Sequence, residues 1–201
     1  DIKAVGVFVN EDKEYIDKFI KNNIIDIVQL HGNEEPEYCK GFDVPVIKYF
    51  NPKTFNRINE YDTDYFLFDS GTGTGEKFDW SALPECEKPF FLAGGINKDN
   101  LRRALDEVNP FGIDLSSAVE TNGFKEYKKI KEIANLINAK LIVDISNISG
   151  LILTNKVPSP FEYADYIICT LNKQLQGTNE TILLSNTNEL TYDLSINSTI
   201  N

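Results

Sequence analysis

The chain has no methionine, one tryptophan, one histidine and three cysteines among its 201 residues. Cys39, Cys86 and Cys169 form no Cys-x-x-Cys pair, and His31 stands alone. That spacing excludes a zinc site of the Cys/His type and a disulfide framework, and it predicts a reduced, cytoplasmic setting. No run of about 18 apolar residues is present and no signal-peptide pattern opens the chain, so no membrane span is expected. Positive charge is scarce: 20 Lys and Arg stand against 31 Asp and Glu, a net charge of −11. Nucleic acid and anionic membranes are therefore poor partners. A small phosphorylated ligand stays open, because backbone N–H groups bind phosphate without a basic surface.

What is present points to a soluble α/β protein. Hydrophobic content is 41% and charged content 25%, ordinary for a globular chain. The length suffices for one sizeable core, though a full eight-fold barrel usually needs about 200–250 residues. Six apolar runs, at 4–9, 26–30, 44–49, 65–68, 89–93 and 111–115, recur about every twenty residues, as (β/α) units do. Most are continuous rather than alternating, which fits parallel strands covered on both faces. Helical patterns fall at 11–22, 34–41, 97–108 and 125–137. The expected fold is a parallel (β/α) sheet of the TIM-barrel type with six recognisable strands. Right-handed crossovers would put every strand's C-terminal end on one rim. The chain starts almost at once in its first strand and without a methionine, as if cut from something longer. Beyond residue 138 the character changes: 139–201 holds eight Asn, three Lys and no Arg. The expected division is 1–138 and 139–201. Runs at 141–145, 166–171 and 181–185 read as further strands, and 186–201 is polar and weakly patterned.

Ligands of parallel barrels sit at strand C-termini. There the chain places Gln29 and His31, Lys48, Asp69, Gly94 and Gly95, and Asp114 with Ser116 and Ser117. Asp69 ends an apolar strand and enters a loop with Gly71, Gly73 and Gly75, as a catalytic acid would be presented. Gly94-Gly95 and Ser116-Ser117, on consecutive strand ends, read as a phosphate cradle or as a tight turn and a cap; the pairing favours the cradle. His31 is a substrate contact or a hydrogen-bonded structural residue. Lys48 faces a substrate carboxylate or pairs with an acidic neighbour. Trp80 and Phe78 read as packing and Asp79 as a helix cap. The acidic stretch 33–37 reads as a solvated helix start.

Several motifs together closely resemble the phosphoribosylanthranilate isomerase family. They are Val5-Gly-Val-Phe-Val-Asn, Val28-Gln-Leu-His-Gly, Phe68-Asp-Ser with Gly73-Thr-Gly-Glu-Lys-Phe-Asp-Trp, Leu92-Ala-Gly-Gly-Ile and Asp114-Leu-Ser-Ser-Ala. The resemblance runs from residue 1 to about 135, in order. It implies a (β/α)8 barrel of tryptophan biosynthesis that carries out an Amadori rearrangement without a cofactor. It also implies Asp69 as the general acid and Gly94, Gly95, Ser116 and Ser117 as phosphate contacts. By alignment the chain starts at the family's third strand, and the Lys-Ile-Cys-Gly motif that carries the base is not among its residues. Ala118 stands where the family usually has glycine. Activity is therefore expected to be impaired, with a non-catalytic phosphosugar-binding or structural chimera as the alternative.

The tail resembles another family. Leu141-Ile-Val-Asp-Ile-Ser-Asn, Val157-Pro-Ser-Pro-Phe-Glu-Tyr-Ala-Asp and Cys169-Thr-Leu-Asn-Lys-Gln-Leu-Gln-Gly are similar to serine hydroxymethyltransferase, from about 124 to 201. That resemblance would place Asp144 at the pyridine nitrogen of pyridoxal phosphate and Lys173 as its Schiff base. The family's histidines are replaced by Asn147 and Asn172 and its arginine by Gln176, so no cofactor is expected, and a pyridoxal-phosphate-binding fragment of that type is the further alternative. A chimera is implied, and the strands at 141–145 and 166–171 could stand in for the two missing barrel strands.

Overall fold

The computed structural model describes residues 3–69, 79–178 and 180–185. Gly71, Gly73, Gly75 and Phe78 of the glycine-rich loop, and the polar stretch 186–201, lie outside the described residues. The chain divides into two compact units, Asp1–Ala118 and Val119–Asn201. The division expected at 138/139 falls inside the second of these.

The first unit is built on β1 (Val5–Phe8), β2 (Ile27–Leu30), β3 (Val46–Phe50), β4 (Tyr65–Phe68), β5 (Phe90–Leu92) and β6 (Gly112–Ile113), in that spatial order. Every pairing is parallel. This is the wall of a TIM-type barrel left open at six strands, as the apolar runs predict. Successive residues alternate faces. Val28, Leu30, Phe50, Phe66, Phe68 and Leu92 fill one side and are at most 2% exposed. There α1 (Lys13–Lys21) buries Ile16, and α2 (Leu101–Val108) buries Leu101 and Ala104. Aromatic edges lock this layer, with Phe50–Phe66 centroids 5.1 Å apart and Phe55–Phe68 5.3 Å. Each buried Phe or Leu contributes roughly 1.5–3 kcal/mol. The opposite face carries a smaller cluster of Ile47, Leu67 and Ala93, flanked by Ile27, Tyr49, Tyr65 and Phe91.

Helices begin and end by local chemistry. Asp12 caps α1 by accepting the N–H of Glu14 at 3.0 Å, the usual role of an N-cap carboxylate. α2 begins at Leu101 rather than 97, because Asn97 to Asn100 form a turn. The helix expected at 34–41 is only a turn over 36–39, closed by Gly41 at φ +73°. Its first residue, Glu34, is buried in an ion pair instead of capping a solvated helix.

The second unit opens on a hairpin, β7 (Glu120–Thr121) and β8 (Phe124–Lys125). Its corner is Asn122-Gly123 at φ 52° and 82°, the left-handed pair that two-residue hairpins need. Next come α3 (Tyr127–Leu136), β9 (Ile142–Asp144), α4 (Ser149–Leu153), β10 (Tyr166–Thr170) and β11 (Thr181–Ser185). β9 and β10 do not supply the missing barrel strands. They pair in parallel with each other, and β10 pairs antiparallel with β11, making a three-stranded sheet of their own. The reason is a separate core: Ile145, Ile152, Ala164, Ile167 and Cys169 cluster with Val143, Ile148, Val157 and Leu175. Asp165 pins α3 to this sheet, accepting from Lys131 at 2.5 Å and from the Leu141 N–H at 2.8 Å.

Among the described residues, each of the four α-helices leaves through an asparagine in the left-handed region: Asn23, Asn109, Asn138 and Asn155, at φ 53°, 49°, 55° and 55°. No described helix is long and apolar enough to cross a membrane.

Candidate active site

The parallel order of β1 to β6 brings their C-terminal ends to one rim. Phe68 pairs with Leu92, and Leu92 with Ile113. The residues that follow, Asp69, Ala93 and Asp114, therefore stand level. The rungs continue past the strands: Asp69 N–H donates to Phe50 at 3.1 Å, Ala93 to Phe68 at 2.8 Å and Asp114 to Leu92 at 3.0 Å. On the other side, His31 N–H donates to the carbonyl of Phe8 at 2.8 Å. Gln29, His31, Tyr49 and Asp69 share the face opposite the helix-covered core, by strand alternation.

His31 is half-buried and held on two sides. Its ring stacks on Tyr49, with centroids 4.0 Å apart and planes at 16°. Gln29 Nε2 lies 3.0 Å from His31 Nδ1. Burial lowers the imidazole's pKa; the negative charges of Asp69, Asp114 and Glu34 act the other way, and Lys48 adds to the lowering. The three carboxylates and the imidazole thus form one electrostatic neighbourhood.

The phosphate-loop candidates occupy the next two strand ends. Gly94 and Gly95 follow β5 at φ 78° and 68°, backbone that L side chains rarely adopt. Asn100 fixes this loop, a contribution not recognised in the sequence. It is 3% exposed. Its Nδ2 donates to the Gly95 carbonyl at 2.9 Å, and its Oδ1 accepts the Asn97 N–H at 2.8 Å. The signal for it is the Asn-x-x-Asn turn before a helix. Ser116 and Ser117 lie exposed after β6, and Ser117 begins a 3₁₀ turn, Ser117–Val119.

Lys48 lies on the other face of β3. Its Nζ is 2.8 Å from Glu34 Oε2 and donates to the Gly32 carbonyl at 2.7 Å. Both side chains are at most 3% exposed. Of the two readings open for Lys48, the acidic neighbour is the one observed. Glu34 also accepts the N–H groups of Asn10 at 2.7 Å and Gly32 at 3.0 Å. Burial pushes its carboxyl up, but the bonds from Lys48 and Asn10 outweigh that and hold it below the ordinary range. The pair ties together the rims of β1, β2 and β3. Asp79 caps the 3₁₀ turn Trp80–Ala82, as expected, accepting from Ser81 N–H at 3.0 Å.

Cys39 is buried, and burial pushes its thiol up to about 11. Such a thiol is a poor base or nucleophile. No group of three or more His, Cys, Asp or Glu able to hold a metal occurs among the described residues.

In the second unit Asp144 ends β9 and accepts the Ser146 N–H at 2.8 Å. Lys173 stands in the turn after β10, and both residues are exposed. Neither lines that unit's described cavity, which is bounded by Phe161, Ala164, Asp165, Ile167, Leu184 and Ser185. A pyridoxal phosphate needs its lysine and its carboxylate to face one enclosed pocket. These two residues do not fit that group.

Residues 1–136 match the family of N-(5′-phosphoribosyl)anthranilate isomerase, and residues 91–197 match serine hydroxymethyltransferase. An N-(5′-phosphoribosyl)anthranilate isomerase of Endomicrobium trichonymphae is 40% identical over 147 residues, covering 69% of this chain and 74% of that protein. One from Clostridium acetobutylicum is 44% identical over 144 residues, covering 65% and 70%. Among solved structures, phosphoribosyl anthranilate isomerase of Thermotoga maritima aligns at TM-score 0.56 and 33% identity, covering 68% of this chain and 74% of that one. Another solved phosphoribosyl anthranilate isomerase, in complex with reduced 1-(o-carboxyphenylamino)-1-deoxyribulose 5-phosphate, aligns at TM-score 0.53 and 32% identity, covering 68% of this chain and 72% of that one. With its open parallel sheet and its rim of Asp69, Gly94-Gly95 and Ser116-Ser117, the chain belongs to the phosphoribosylanthranilate isomerase family, joined through residues 91–197 to a segment of the serine hydroxymethyltransferase family.

Proposed function

We propose that the first unit binds N-(5′-phosphoribosyl)anthranilate and catalyses the first half of its Amadori rearrangement better than the second. The observation that carries this reading is the level row at the rim: Asp69 after β4, with Gly94-Gly95 and Ser116-Ser117 on the next two strand ends. The loop amides and serine hydroxyls take the phosphate oxygens. That contact fixes the ribose so that its ring oxygen meets Asp69. The Asp69 carboxyl gives its proton to that oxygen as the C1–O bond breaks and the amine lone pair forms the protonated imine, the nitrogen keeping its hydrogen. Rearrangement then requires loss of the C2 proton to a base. Among these 201 residues no cysteine lies in the family's base motif, and Cys39 holds its proton too tightly to serve. Turnover by this chain is therefore lower than with a positioned base by about 10²–10⁴-fold. The work belongs in the cytoplasm, where the three thiols stay reduced.

Turnover of freshly made phosphoribosylanthranilate, followed by loss of its fluorescence, is the test. A slow reaction that falls by a further 10²-fold or more in Asp69→Asn supports the assignment, since removing a general acid has that effect. Equal rates in the two proteins would remove Asp69 from the mechanism. Tight phosphate-ester binding with no turnover in either would leave a phosphosugar-binding chimera.

A further inference from the structure

His31 is the one imidazole in the chain and stands at the rim where a base is missing, so it is the natural suspect to replace that base. The geometry argues otherwise. Gln29 on β2 and His31 just past its end are two residues apart and share a face, which sets the amide beside the ring. The amide nitrogen, Gln29 Nε2, is 3.0 Å from Nδ1. With the amide set this way its NH₂ donates, and Nδ1 accepts and carries no proton. In a neutral ring the single proton then sits on Nε2. The stack on Tyr49, at 4.0 Å and 16°, holds the plane of the ring. Protonating Nδ1 would set two N–H groups against each other, so the positive form is disfavoured locally as well as by burial.

We propose that Gln29 is a positioning residue that fixes His31 as the neutral imidazole with its proton on Nε2, so that this point of the rim offers a hydrogen-bond donor to an anionic oxygen and cannot act as the base. The ligand group it suits is a carboxylate; taking that carboxylate as the anthranilate one rests on the reading of the site above. The charged and titratable groups that act on the ring are Tyr49 of β3, stacked on it, Asp69 and Asp114 from the ends of β4 and β6, and, through space from the buried pair on the other face of the sheet, Lys48 and Glu34. Asp69, Asp114 and Glu34 favour the imidazolium and Lys48 opposes it, so the neutral form depends on burial and on Gln29.

A chain with one histidine lets a long-range ¹H–¹⁵N spectrum of the labelled 201-residue chain read this ring alone. The expected result is the Nε2–H tautomer at pH 7 to 8, with a titration midpoint below the ordinary 6.5. Gln29→Leu should mix the tautomers and raise the midpoint. Gln29→Glu, nearly isosteric, should move the proton to Nδ1 and raise the midpoint by about one to two pH units, as an adjacent carboxylate does. A wild-type ring protonated on Nδ1, or a spectrum unchanged in both variants, overturns the proposal. The isosteric variant keeps the test decisive if the leucine variant unfolds. In turnover, Gln29→Leu should raise KM and leave kcat near its starting value. A chain with no turnover defeats the functional reading but leaves the tautomer to be read by itself.

Discussion

At the residue scale, the Glu34–Lys48 pair is where the molecule is most exposed to a single change. Two charges with at most 3% of their side-chain surface exposed are held together by 2.8 Å of geometry and by three further backbone partners. Removing one partner strands the other charge, which costs about 3–5 kcal/mol in buried pairs. Glu34→Gln should therefore lower the urea midpoint strongly, and Glu34→Leu with Lys48→Met should recover much of the loss. A double variant no better than the single would show that the pair contributes more than mutual neutralisation. The pH dependence follows from the same groups. The Glu34 carboxyl titrates below its ordinary 4.5, so its stabilisation is full above that value and drains as pH falls toward its folded value. The His31 imidazole is also lowered, so its contribution is full above 6.5 and declines beneath it. Acid should thus weaken the fold in two stages, the first below pH 6.5. Urea denaturation at pH 7.5, 5.5 and 4 reads both.

At the element scale, the asparagine exits of α1, α2, α3 and α4 supply a common device. Left-handed backbone costs an ordinary residue roughly 1–2 kcal/mol, which asparagine reduces and glycine abolishes. Asn138→Ala should lower thermal stability, and Asn138→Gly should hold or raise it. Equal melting for the two would mean that the exit bears no strain. These elements also mark what the sequence makes legible. The strands β1 to β6 lie where continuous apolar runs put them, because burial on both faces leaves that imprint. The turn at 36–39 was not legible, because the partner that takes Glu34 out of a helix start lies fourteen positions on, in another strand. The rim residues could be located from strand ends, but Asn100 and Tyr49 act through contacts that the motif does not spell. The partnering of β9, β10 and β11 was equally hidden. Counting two strands toward a barrel of eight ignores that their apolar residues already satisfy one another.

At the scale of the whole molecule, the described part of the first sheet ends on β1, where Val5 and Val7, and Val9 just past the strand, are 43%, 58% and 61% exposed. β1 pairs with β2 on one side only, and an outer edge with no strand partner among the described residues and with outward valines is a template for another strand. Sedimentation at rising concentration should show association, and Val7→Lys should shift the chain toward monomer; an unchanged profile would clear this edge. The net charge of −11 works against such association but does not address a local apolar edge. The four helix exits give the molecule a different relation to time. Hydrolysis of an asparagine amide leaves a carboxylate, and at a helix C-terminus the dipole is already negative, an arrangement unfavourable by about 0.3–1 kcal/mol at each site. Slow chemical ageing would then push all four helices in one direction while deepening an already acidic charge. Stored protein should lose its fold by accumulated small increments, helix by helix, rather than through damage at any one place.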